Sequence, residues 1–169
     1  VDNCNKRPQR LFNEQELSIT ACKDYLNRAI ELLQERNHDV KIIFTVSPIR
    51  YAKYGYHESQ LSKAALLLSV HDVIGEHIDE NVAYFPAYEI VNDELRDYRF
   101  YKADMLHPNE QAVEYIWERL VDVYFSPSAK EFLHEWKPVK EAFAHRPFNP
   151  ESSEYKNFMV KMRAHAKLL

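Results

Sequence analysis

Glycine is nearly absent from this chain: Gly55 and Gly75 are the only two in 169 residues, where average usage is roughly 7%. Glycine supplies the tight turns and close backbone approach that phosphate-binding loops and nucleophile elbows need. No G-x-G-x-x-G, no P-loop and no G-x-S-x-G can therefore be written anywhere, which excludes dinucleotide and P-loop chemistry. A basic surplus is also missing, since 22 Lys and Arg stand against 26 Asp and Glu for a formal net charge of -4. Neutralising phosphates takes a basic face, so nucleic acid is not expected as a partner. Long apolar runs are lacking too. The richest, Ala64 to Val70, is about a third of the roughly 18 residues that span a bilayer, and no membrane partner is expected. The opening shows no charged segment leading into an apolar one, as a signal peptide would. Cysteine is limited to Cys4 and Cys22, which can pair but form no framework, so a reduced cytoplasmic setting is the expectation.

What is present suffices for a core. Hydrophobic residues make up 46% and aromatics 13%, with eleven Tyr and nine Phe, so overall disorder is excluded and the length fits one globular domain. The first residues, Val1-Asp2-Asn3-Cys4, include no initiator Met, which fits a segment of a longer polypeptide or a processed product.

The spacing predicts a helix opening at Phe12 to Leu17, with Asn13 as N-cap and Glu16 reaching back to it, and running to about Arg36 on Ile19, Cys22, Leu26, Ala29, Ile30 and Leu33. Val40 to Val46, β-branched and apolar, reads as a buried strand. A second helix is expected from about Glu58 to Ile74, with Leu61, Ala64, Ala65, Leu68 and Val73 on one side and Gly75 as its C′ residue. Asn81 to Phe85 reads as another strand, and the helix, strand, helix, strand order implies a parallel α/β unit. A third amphipathic helix follows Pro108. Ser126-Pro127-Ser128 ends it and starts a fourth, expected to break near Pro138. Residues 146–150 form a connector to a basic terminal helix from Tyr155 to Leu169 whose Phe158, Met159 and Met162 favour packing on the same domain. Two strands make too small a sheet to bury these helices, so an N-terminal part is expected to supply the rest.

One constellation carries chemistry. Asp104 and His107 stand three residues apart in the loop Tyr98 to Pro108, ahead of a helix. A carboxylate holding Nδ1–H fixes the imidazole tautomer and leaves Nε2 to take a proton from a nucleophile; alternatively, Asp104 caps backbone N–H groups of the helix. Ser47, at the carboxyl end of the first strand, is the best serine in the chain, but Pro48 follows it and no base is adjacent, so it reads as a turn lining the cleft. Arg50 would pair with an anionic substrate group or with a surface acid. His57 would sit at the pocket rim or cap the second helix. His71 and His77, with Asp79 and Glu80, have no compact ligand spacing, so no metal is expected. Tyr98, Phe100 and Tyr101 read as core, and no cofactor is called for.

The block Asp104-Met105-Leu106-His107-Pro108 resembles the last motif of the SGNH (GDSL-like) hydrolases. Val1 to Lys6, Ser47-Pro48-Ile49-Arg50, His57 to Ala64, Asp97 to Tyr101 and Arg146 to Pro150 together resemble the C-terminal half of the GSCFA family. The resemblance implies an α/β/α three-layer, flavodoxin-like parallel sheet, incomplete here at its N-terminus. Residues 1–145 would be the C-terminal part of that SGNH-like domain, and residues 146–169 a connector and helix packed on it. It also implies a serine ester hydrolase or acyl-transfer enzyme acting on a small-molecule ester, with Asp104 orienting His107 as general base; Ser47, Arg50 and His57, placed near the cleft by the sequence pattern, are the candidate substrate-binding residues. The family's Gly-Ser-Cys-Phe-Ala block, which carries the nucleophile position, does not occur in these 169 residues. The serine is therefore expected from a missing N-terminal segment of the same polypeptide. The alternative is a non-catalytic binding or interaction module with the same fold.

Overall fold

The computed structural model describes residues 8–77 and 81–169, so Asn3, Cys4, Lys6, Asp79 and Glu80 lie outside the described residues. The chain divides into two compact units, residues 1–114 and 115–169.

In the first unit, a 3-10 turn at Gln9–Leu11 precedes α1, Ile19–Arg36. The helix starts later than the Asn13 capping box predicts. Ser18 is the N-cap, its hydroxyl accepting the Ala21 N–H at 3.1 Å, so Phe12 to Leu17 stay outside the helix and exposed. Strand β1, Ile42–Phe44, pairs in parallel with β2, Val82–Tyr84, in the register Ile42 to Val82 and Phe44 to Tyr84. The parallel α/β order read from the pattern is thus present as a two-stranded sheet within a mostly helical chain. Helix α2, Tyr56–Glu76, crosses between the strands. It runs through Gly75 and ends at His77, whose N–H reaches the Val73 carbonyl, so Gly75 is an interior helical residue rather than a C′ glycine. Gly55 is where glycine is required. At φ 94° it ends a 3-10 turn, Ala52–Tyr54, and opens α2 in a conformation that L side chains disfavour.

The core forms where α1 and α2 meet the sheet: Ile30, Ile42 and Val73 are buried, with Leu26, Val40, Phe44 and Val82 packed on them. Polar groups tie the two helices together. Ser69 Oγ lies 2.7 Å from the Ala65 carbonyl and 3.0 Å from that of Ile19. Glu76 accepts from Lys23 Nζ at 2.8 Å and from Asn27 Nδ2 at 2.9 Å. The burial differs from expectation on one side. Ile43 is 42% exposed, and Leu61 and Leu68 are 50% exposed. β1 is thus covered on one face, and α2 buries Val73 as expected but Ser59, Ser69 and Val70 in place of Leu61 and Leu68.

After β2, helix α3, Ala87–Glu89, continues into a π-helical turn, Ile90–Leu95, that buries Ile90 and Val91 and ends at Arg96 in the left-handed region, φ 48°. A 3-10 turn at Tyr98–Phe100 leads to the loop before α4, Glu110–Tyr124.

In the second unit, Ser126 caps α5, Pro127–Ala144. Pro138 lies inside this helix without ending it, contrary to the expected break, and Val139 next to it is fully buried. Proline forfeits one intrahelical bond; burial of Val139 and Ala142 in the following turn offsets that cost. Ser152 caps α6, Ser153–Ala166, which packs against α5. No helix among the described residues is long and apolar enough to cross a membrane.

Candidate functional site

The loop between Tyr101 and Pro108 is closed at its base by an antiparallel bridge between those two residues, with the Lys102 N–H donating to the His107 carbonyl at 2.7 Å. Inside it, Met105 N–H donates to the Lys102 carbonyl at 2.9 Å, and Met105 adopts φ 60°. A methionine in the left-handed region is strained, because Cβ crowds the following carbonyl. That strained residue reverses the chain between the acid and the base.

The reversal places Asp104 under its own loop. Oδ1 accepts the N–H groups of Leu106 at 2.9 Å and His107 at 3.0 Å, and Oδ2 lies 2.6 Å from His107 Nδ1. The backbone N–H of His107 first, then that of Leu106, then the imidazole hold the Asp104 carboxyl well below its ordinary value, down to about 2. Both side chains are about half exposed. Asp104 is not the helix cap. That role belongs to Asn109, whose Oδ1 accepts the Ala112 N–H at 3.0 Å while its Nδ2 donates to the Arg99 carbonyl at 2.6 Å.

A second loop, leaving β1, is fastened to the first. The Arg50 N–H donates to the Leu106 carbonyl at 3.1 Å, so Arg50 and the Asp104–His107 loop share a backbone contact. The Arg50 guanidinium lies 4.5 Å from the Tyr101 ring centre and 5.1 Å from that of Tyr98, within cation–π range. No carboxylate among the described residues pairs with it. Tyr101 is buried as expected of core, whereas Tyr98 is 60% exposed. Ser47 is exposed, and its Oγ accepts the Ile49 N–H at 3.3 Å, forming the expected turn. His57 stands exposed in the first turn of α2. Cys22 is a free thiol. Among the described residues no group of three or more His, Cys, Asp or Glu could hold a metal ion.

Sequence reasoning missed three participants. Asn109 carried a readable signal, an Asn directly before a helical run, which is a preferred N-cap. Met105 carried none, since its left-handed backbone follows from the loop closure. Lys63, on α2, donates from Nζ to the Ser47 carbonyl at 2.6 Å, and burial pulls its ammonium below the ordinary value. A contact across sixteen residues leaves no local trace.

The first unit is thus a parallel strand–helix–strand arrangement that carries an Asp-x-x-His loop ahead of a helix. The GSCFA family model matches residues 1–120, and that of the GSCFA domain protein, C-terminal domain, matches residues 136–169. The chain belongs to the GSCFA family. No curated protein and no solved structure matches it.

Proposed function

We propose that this chain carries the acid–base half of an SGNH-type serine ester hydrolase or acyl-transfer site. The observation that carries the reading is the 2.6 Å contact between Asp104 Oδ2 and His107 Nδ1, made by a carboxylate that two backbone N–H groups hold ionised. An Nδ1–H donated to Asp104 leaves Nε2 as the base. In the reaction, a serine hydroxyl from outside these 169 residues attacks the acyl carbonyl as Nε2 takes its proton. The imidazolium, stabilised by Asp104, then returns that proton to the leaving alcohol. Water or an acceptor alcohol repeats the sequence to release the acyl group. Ser47, Arg50 and His57 are the substrate-facing residues of this reading, and a small-molecule ester or acyl donor is its substrate class.

A three-layer, flavodoxin-like domain is the fold that goes with it. Parallel sheets are ordinarily covered on both faces, and the half-exposed Ile43, Leu61 and Leu68 are what a larger sheet with a further layer would cover. The location we propose is cytoplasmic.

The test uses the full-length protein, short-chain aryl esters and a serine-directed fluorophosphonate. Ester turnover and labelling are expected in the wild type. His107→Ala should lower kcat by several orders of magnitude, and Asp104→Asn by on the order of 10³ to 10⁴, as tautomer loss does in serine proteases. Turnover unchanged in folded His107→Ala would overturn the assignment. Absence of turnover and of labelling in the wild type would favour a binding or interaction module.

A further inference from the structure

Charge around the candidate site is paired with one exception. Arg99 Nη2 meets Asp97 at 2.9 Å, Lys102 meets Glu110 at 3.3 Å, and Asp104 meets His107. The exception is a pair of cations, Arg50 on the loop leaving β1 and Lys63 on α2, which have no such partner among the described residues. Arg50 is held by the Tyr98 and Tyr101 rings and through its N–H by Leu106. Lys63 reaches the same loop from α2 and spends one of its three donors on the Ser47 carbonyl. Lys63 is half-buried, and desolvation pulls its ammonium below the ordinary value.

We infer that Arg50 and Lys63 form an anion-binding subsite that selects esters whose acyl or alcohol part carries a carboxylate or phosphate group. The inference rests on the hydrolase reading and adds a substrate class to it. Three physical arguments converge. The cations flank one short segment, Ser47 to Arg50, and that segment is bonded to Leu106, the residue before the base. Guanidinium donors fit a carboxylate or phosphate in a fork geometry that a surface lysine cannot match. Stacking on two rings fixes the guanidinium before ligand arrives, which lowers the ordering cost of binding.

The experiment has a binding arm and a kinetic arm, both on the full-length protein. In the first, inorganic phosphate and succinate are titrated at constant ionic strength while the Arg50 and Lys63 side-chain NMR signals are followed. Saturable shifts are expected, weakened at least tenfold in Arg50→Met and in Lys63→Met, and the tighter of the two probes identifies phosphate or carboxylate as the group. In the second, kcat/KM is compared for two aryl esters of equal acyl length, one ending in methyl and one in carboxylate or phosphate, as the first arm directs. The wild type should favour the anionic ester at least tenfold, and Arg50→Lys, which keeps the charge but loses the fork, should reduce that preference several-fold. No saturable binding by either probe, binding unchanged in both methionine variants, or equal kcat/KM for the two esters would overturn the subsite. Specific binding by a wild type that turns over neither ester would overturn the hydrolase reading while leaving an anion site at Arg50 and Lys63.

Discussion

The backbone N–H of Arg50 donates to the carbonyl of Leu106 at 3.1 Å, joining the loop that leaves the first strand to the loop that holds Asp104 and His107. The two segments are more than fifty residues apart in sequence, yet the cation of one and the imidazole of the other are carried on backbone that is directly bonded. That hydrogen bond ties the two loops together, and several measurements test how firmly the Asp104 loop is held.

The first concerns pH. Asp104 has a folded pKa of about 2, below the roughly 3.9 of an unfolded aspartate. Its contribution to stability is therefore complete above the unfolded value and is lost as pH falls toward 2. The largest causes are the backbone N–H groups of His107 and Leu106 rather than the imidazole. A carboxyl-carbon NMR titration should accordingly find Asp104 still below the ordinary aspartate range in His107→Ala, which keeps both N–H groups. A return to the ordinary range would show that the imidazole, not the backbone, holds the charge.

Met105 tests the strained turn. At φ 60° a β-branched side chain is worse than methionine, so Met105→Ile should lower the unfolding free energy by about 1–2 kcal/mol. Met105→Gly should change it by less than about 1 kcal/mol, since relief of strain is offset by the greater freedom of glycine in the unfolded chain. Denaturant titration compares them. Equal effects of Ile and Gly would mean that Met105 is not held in the left-handed region.

Asn109 separates capping from chemistry. Asn109→Ala removes the acceptor for Ala112 N–H and the donor to the Arg99 carbonyl, and should cost about 1–2 kcal/mol of stability. Asp104→Ala should have the larger effect on ester turnover relative to its effect on stability. Thermal melts run beside kcat measurements check the contrast, and identical profiles for the two variants would make Asp104 another structural residue.

Much of the local architecture was legible. The end of α1 at Arg36, both strands, the Ser126-Pro127 start of α5 and the helix after Pro108 followed from periodicity and stop signals. Errors clustered where two local signals competed or where packing outweighed propensity. Asn13 with Glu16 offers a capping box, but Ser18 caps the helix that packs on α2. Gly75 and Pro138 look like breakers and are carried through by the helices around them. At the site, the Asp-x-x-His spacing was visible, whereas the choice between a cap and a dyad was not, because both use the same residues.

The sequence by itself determined which glycine-dependent motifs cannot be written in this chain, through its two glycines, and it determined the order of most helices and both strands, since periodicity and capping act over a few residues. Tertiary structure alone decided that Arg50 lies against Tyr98 and Tyr101 without an acid partner among the described residues, and that Lys63 reaches Ser47. Those relations depend on where the chain returns after a strand or a helix, and a contact closed across many residues has no counterpart in local spacing.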